Sequence, residues 1–147
     1  MKKYFNLKRY KELLELEQSG KLSSFNDELV NLCTNVEKQI IYNRKNDYFK
    51  LIDNYLSQVI SPHDFRIQLS EMTFQDARNA NVILKDFQKL EVFTLATDLE
   101  QFINLIFEII TLCKEYYEMW DDRTELMPED EFYNLVSQYF FELEKFK

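Results

Sequence analysis

Thr97-Asp98-Leu99-Glu100-Gln101-Phe102-Ile103-Asn104-Leu105-Ile106-Phe107-Glu108-Ile109-Ile110-Thr111-Leu112-Cys113-Lys114-Glu115-Tyr116-Tyr117-Glu118-Met119-Trp120 is the longest periodic stretch in this chain. Leu99, Phe102, Ile103, Ile106, Phe107, Ile110, Cys113, Tyr117 and Trp120 recur at three- and four-residue steps, the period of one helix face. Thr97 and Glu100 frame it with a capping box. No glycine or proline interrupts the run. A helix of this length sets the frame for the rest.

The same period continues on both sides. Toward the carboxyl end, Met127-Pro128-Glu129 starts a last helix with Phe132, Leu135, Val136, Tyr139, Phe140, Leu143 and Phe146 on one face. Toward the amino end, residues 5–19 form a first helix carrying Leu7, Tyr10, Leu13 and Leu14, with Gly20 as its left-handed stop. Ser24-Phe25-Asn26-Asp27 reads as a capping box for a second helix with the stripe Leu29, Leu32, Cys33, Val36 and Ile40. Asn43-Arg44-Lys45-Asn46 is either a turn or an exposed stretch of a continuing helix. Tyr48, Leu51, Ile52, Tyr55, Leu56 and Val59 resume the pattern. Ser61-Pro62-His63-Asp64 places Ser at N-cap, Pro at N1 and a carboxylate at N3. A short helix with Phe65, Leu69 and Met72 follows, and Thr73 to Asp76 reads as a fresh start for Ala77, Ala80, Leu84 and Phe87.

Composition agrees. The 147 residues include one Gly and two Pro, whereas sheets joined by tight turns need glycine at positive φ. The expectation is an all-α fold, a compact antiparallel bundle of about six helices, and residues 1–147 as a single helical domain. The surplus of Lys, Asn, Phe, Tyr and Ile also matches what an A+T-rich coding genome favours.

Charge is segregated. Residues 1–97 hold 14 Lys/Arg against 13 Asp/Glu, and residues 98–147 hold 4 against 13. Glu115, Glu118, Asp121, Asp122, Glu125, Glu129, Asp130 and Glu131 fall within seventeen residues, diluted by Arg123 among them and Lys114 just before. Such a cluster repels nucleic acid and attracts a basic protein partner. A solvated helix face interleaves Lys or Arg at i+4 to relieve repulsion, and this run scarcely does. Trp120, Tyr116, Tyr117, Met119 and Met127 flank the carboxylates, as anchors within a charged rim would. Trp120 also fits the core stripe, so its side chain is either core or interface.

Catalytic chemistry finds little support. His63 is the only histidine, and Cys33 and Cys113 have no zinc-ligand spacing to it or to each other. Glu115, Glu118 and Asp122 share a helix face, but a helical diiron site needs Glu-x-x-His units aimed into the bundle. A calcium loop needs the Asp-x-Asp-x-Asp-Gly alternation, which residues 121–131 lack. Two cysteines on buried-looking faces read as reduced core residues. The expectation is no enzyme, no metal and no cofactor. The basic start, with Lys2, Lys3, Lys8, Arg9 and Lys11 among Tyr4, Phe5 and Tyr10, reads as the solvated face of the first helix, with an RNA contact as the alternative. Neither a secretory signal nor a membrane span is expected.

Two stretches resemble a known family. Residues 51–65, with Val59-Ile60-Ser61-Pro62-His63-Asp64-Phe65 at their end, are similar to the "helix, short break, Ile-Ser-x-x-x-Phe, helix" element of the bacterial self-protective colicin-like immunity proteins of the colicin D type. Val59 stands where that family usually has glycine. Residues 106–146 resemble the family's ending: a long helix, an acidic stretch, and a last helix opening on carboxylates and an aromatic. The resemblance implies a small helical bundle that covers the basic active site of a toxin nuclease with an acidic surface. It carries over the region of Glu115, Glu118, Asp121, Asp122, Glu125, Glu129, Asp130 and Glu131 as partner-binding, and Trp120 joins them as the candidate anchor. The composition also resembles uncharacterised open reading frames of red-lineage plastids, so the expected compartment is the cytoplasm, or the stroma if plastid-encoded. A structural subunit or assembly factor of a larger, possibly plastid, complex is the alternative from another class. The oligomeric state is open.

Overall fold

The computed structural model describes residues 3–118 and 127–147. Seven α-helices lie among them: α1 (Leu7–Gln18), α2 (Asn26–Asn43), α3 (Lys45–Leu56), α4 (Pro62–Leu84), α5 (Phe87–Glu91), α6 (Leu99–Glu118) and α7 (Glu129–Leu143). Short 3-10 turns occupy Ser23–Phe25 and Glu144–Phe146. The fold is all-α, as the glycine-poor periodic sequence requires, with one helix more than about six. Two residue pairs form a minimal antiparallel ribbon, β1 (Lys3–Tyr4) with β2 (Thr94–Leu95), in the register Lys3↔Leu95 and Tyr4↔Thr94. The Phe5 N–H extends it by donating to the Phe93 carbonyl (2.9 Å).

The chain divides into two compact units, Met1–Asn43 with Gln75–Leu99, and Arg44–Phe74 with Glu100–Lys147. In the first, Tyr10 and Leu13 of α1, Leu29, Val36 and Ile40 of α2, and Ala80, Leu84 and Leu90 make one buried cluster. Tyr10 satisfies its hydroxyl there by donating to the Leu84 carbonyl (3.1 Å). Asn6 caps α1 through the Arg9 N–H (3.1 Å), so the helix opens at Leu7 rather than at Phe5. It ends in a Schellman arrangement: Lys21 N–H donates to the Leu16 carbonyl (2.8 Å) and Gly20 N–H to that of Glu17 (3.1 Å), with Gly20 at φ +72°.

The second unit is built on aromatic packing. Tyr55 of α3 stacks on Phe65 of α4 (centroids 4.7 Å, 10°) and meets Phe132 of α7 at 5.5 Å. Phe132 is stacked in turn by Tyr116 of α6 (4.6 Å). Phe49 lies edge-on to both Phe102 and Phe140 (6.2 Å each). Ile103, Ile106 and Ile109 of α6 are fully buried in the same unit.

Several local expectations differ from the structure. Arg44 alone separates α2 from α3, so the polar stretch is a one-residue break. Ser24 sits inside a 3-10 turn instead of capping α2. The expected start at Thr73 is absent, because the Thr73 hydroxyl folds back onto the carbonyls of Leu69 (3.2 Å) and Ser70 (3.0 Å) and α4 runs through. Phe87 therefore does not extend α4; it opens α5, whose cap Asp86 accepts from the Lys89 N–H (3.2 Å). On α6 the buried arc takes in Ile109 and Leu112 and leaves Phe107 exposed. Val59 lies past the end of α3 and is 70% exposed. Cys33 is half-buried, while Cys113 is buried; both are free thiols. Ser61 behaves as expected, its Oγ accepting the Asp64 N–H (3.0 Å) with Pro62 as the first residue of α4. Among the described residues no helix is long and apolar enough to cross a membrane.

Candidate functional site: an acidic surface at two helix ends

The described carboxylates of the acidic run lie at the end of α6 and the start of α7. Glu115 lies exposed in the last turn of α6, and Glu118 is its final residue. Glu129, Asp130 and Glu131 form the first turn of α7 and all three are exposed. Trp120, Asp121, Asp122 and Glu125 lie outside the described residues.

The two halves differ in physical origin. Carboxylates at a helix N-terminus are stabilised by the macrodipole, by about 0.3–1 kcal/mol each at an exposed site. Glu129, Asp130 and Glu131 have that local reason to be where they are, and Asp130 Oδ1 also accepts the Glu131 N–H (3.0 Å). Glu115 and Glu118 have the opposite setting. They close α6, where the dipole is negative, and no basic residue occupies that last turn. Local helix energetics therefore accounts for Glu129, Asp130 and Glu131 and argues against Glu115 and Glu118.

The negative surface is larger than the sequence run. Tyr139 of α7 donates its hydroxyl to Glu108 of α6 (3.2 Å). Its phenol is held above the ordinary range by burial first, then by Glu108, Glu142 and Glu115. Glu108 and Glu115 are one i, i+7 pair on α6, so the acidic face extends two turns back along that helix, and Glu142 of α7 acts on the same Tyr139 phenol. Periodicity could have placed Glu108 beside Glu115; no sequence signal identifies α7 as the helix that brings Glu142 to them. Among the described residues, Glu115, Glu129, Asp130 and Glu131 form no ion pair.

The basic residues of the first unit are arranged differently. Arg9 grips Glu28 with two bonds, Nε to Oε1 (2.6 Å) and Nη2 to Oε2 (2.8 Å), and reaches Glu12 at 3.0 Å. The Arg9 bond holds the Glu28 carboxyl below its usual range. Lys11 lies over the Phe87 ring (5.0 Å). Of the aromatics interleaved with those cations, Phe5 and Tyr10 are buried and Tyr4 is exposed.

Groups suited to chemistry are scattered. His63 is exposed on the first turn of α4. Burial pushes the Cys113 thiol up to about 12, which makes it a poor nucleophile. Burial also raises Glu37, with a smaller contribution from Asp76. Among the described residues no group of three His, Cys, Asp or Glu side chains is placed to hold a metal ion. A cavity of about 550 Å³ in the first unit is lined by Gln39, Tyr42, Asn43, Lys89 and Asp98 among others. Its polar groups serve one another: Tyr42 donates to Asp98 (2.9 Å), Gln39 to Asn43 (2.8 Å), and the Ala96 N–H to Gln39 (2.7 Å).

No family model, curated protein or solved structure matches this chain.

Proposed function

We propose that this chain is a non-catalytic, immunity-like binding protein that presents its acidic C-terminal surface to a basic protein partner such as a toxin nuclease domain. It would do so in a cytoplasm, or in a plastid stroma if plastid-encoded. The observation that carries this reading is the exposure of Glu115, Glu129, Asp130 and Glu131 with no ion pair among the described residues. Charges kept in water and left unmatched retain their attraction for a cationic surface. The adverse placement of Glu115 and Glu118 at the end of α6 supports a role beyond folding.

The test is a pull-down comparing the tagged wild-type chain with the triple reversal Asp121→Lys, Asp122→Lys, Glu125→Lys. The reversal abolishes capture of the basic partner while the helical circular dichroism spectrum persists. Unchanged capture rejects the surface. A structural subunit or assembly factor is the second reading, favoured by Phe141, which is 77% exposed on α7. Such a subunit co-fractionates with a large particle and withstands moderate salt, whereas an electrostatic inhibitor runs free or one-to-one and is eluted by it.

A further inference from the structure

Between the end of α3 and the first turn of α7 lies a cleft of about 510 Å³, lined by Tyr55, Val59, Ser61, Glu129 and Tyr133 among others. A second cleft of about 450 Å³ shares Gln58, Glu129 and Tyr133 with it and adds Asp130. The two form one trough whose mouth carries two exposed carboxylates, Glu129 and Asp130.

Tyr55 is 3% exposed, and its hydroxyl has no hydrogen-bond partner. Buried hydroxyls are normally satisfied, and an unsatisfied one costs stability until a partner arrives. The ring cannot swing to find one, being stacked on Phe65 and flanked by Phe132 and Tyr133 (5.5 and 5.8 Å). The proton of the neighbouring Tyr133 is committed to the Leu56 carbonyl (2.6 Å). Glu129 exerts the largest charge effect on the Tyr55 phenol, which burial already holds above its ordinary range. Tyr55 and Glu129 line the same cleft.

The electrostatics select the sign of the occupant. The α3 C-terminus adds the negative end of its dipole. The α4 and α7 N-termini at the same trough are already answered by their own first turns. Ser61 Oγ takes the Asp64 N–H (3.0 Å), Asp64 sits in the first turn of α4, and three carboxylates sit in that of α7. What remains is a demand for donors and positive charge.

We propose that this trough receives an arginine side chain of the basic partner. Its guanidinium pairs with Glu129 and Asp130 at the mouth and turns one N–H toward the Tyr55 oxygen at the floor. A planar fork of five donors serves carboxylates and a hydroxyl together, and its face packs on an aromatic such as Tyr133. Val59, exposed at the rim, covers the aliphatic stem. The Tyr55 oxygen is shielded from solvent, so entry displaces lining side chains of the cleft. This inference rests on the acidic-surface reading and narrows it to one pocket.

The experiment needs no partner. The full chain is titrated with acetyl-arginine amide at low ionic strength and followed by amide NMR. Saturable shifts confined to Gln58, Val59, Glu129 and Tyr133 are expected in the millimolar range, where single side chains bind. Glu129→Gln and Tyr55→Phe each weaken binding by about threefold or more, and acetyl-citrulline amide, the neutral isostere, gives no saturable shift. Non-saturating shifts spread over all carboxylates, binding unaltered by Tyr55→Phe, or equal binding of the citrulline probe overturns the pocket. The triple reversal at 121, 122 and 125 leaves Tyr55 and Glu129 in place, so failure of the pocket and failure of the wider surface register in different experiments.

Discussion

Two helix ends in this chain adopt the same geometry with different residues. Gly20 follows α1 and Gln58 follows α3, at φ +72° and +62°. Behind Gln58 the bonds repeat those behind Gly20: Val59 N–H donates to the Asn54 carbonyl (2.8 Å) and Gln58 N–H to that of Tyr55 (2.9 Å). A Cβ at left-handed φ is strained, and glycine avoids the strain. Gln58→Gly is therefore expected to stabilise the protein by about 0.5–1 kcal/mol, a rise in Tm of about 1–4 °C for a chain of this size. Nothing lies within 4 Å of a Cβ built on Gly20, so Gly20→Ala would lose a similar amount through backbone strain alone. Thermal melts of both variants check the pair, and the signs must be opposite. The glycine stop was legible in the sequence because glycine announces it; the glutamine stop was not, since only the neighbouring hydrogen bonds reveal it.

At the scale of the helices, legibility followed how local the deciding interaction is. The Ser61-Pro62-His63-Asp64 start could be read because capping involves residues three apart. The α6 stripe was right in period and offset in phase: Phe107 faces out while Ile109 and Leu112 are buried. Phase depends on which helices pack alongside, and α6 is apolar around most of its circumference. Thr73 had two hydrogen-bonding options, a cap or its own helix's carbonyls, and sequence alone does not choose between them. The acidic stretch was legible as a run of sequence, whereas Glu108 of α6 and the Tyr55 cleft come beside α7 only through cross-helix packing. The opposed settings of its two halves give a test at this scale. Glu131→Gln removes a charge favoured by the α7 N-terminus and is expected to lower stability by about 0.3–1 kcal/mol. Glu115→Gln removes one disfavoured by the α6 C-terminus and is expected to raise it within the same range. Chemical denaturation at low ionic strength reads both, and a shared sign would dismiss the dipole argument.

Across the whole molecule, the charge segregation seen along the chain persists in the structural division. The unit formed by Met1–Asn43 and Gln75–Leu99 holds 10 Lys/Arg against 10 Asp/Glu, and the unit formed by Arg44–Phe74 and Glu100–Lys147 holds 8 against 16. The entire net charge of −8 therefore resides in the second unit. Like charges held on one compact unit repel, which destabilises it and at the same time draws in a cationic surface. Salt must then act in opposite directions on folding and on binding. Raising ionic strength from about 0.01 to about 1 M shortens the screening length from about 30 to about 3 Å. The free protein is expected to melt about 2–4 °C higher, equivalent to about 1 kcal/mol for a chain of this size, while capture of the proposed basic partner weakens. A general salt effect on burial would raise the melting temperature of every variant alike. The triple reversal Asp121→Lys, Asp122→Lys, Glu125→Lys changes the net charge of the second unit from −8 to −2, so its salt-induced rise should be much smaller than the wild type's. Equal rises in the two proteins would show that the crowded carboxylates do not strain the fold, and the energetic argument for their selection by a partner would go with it.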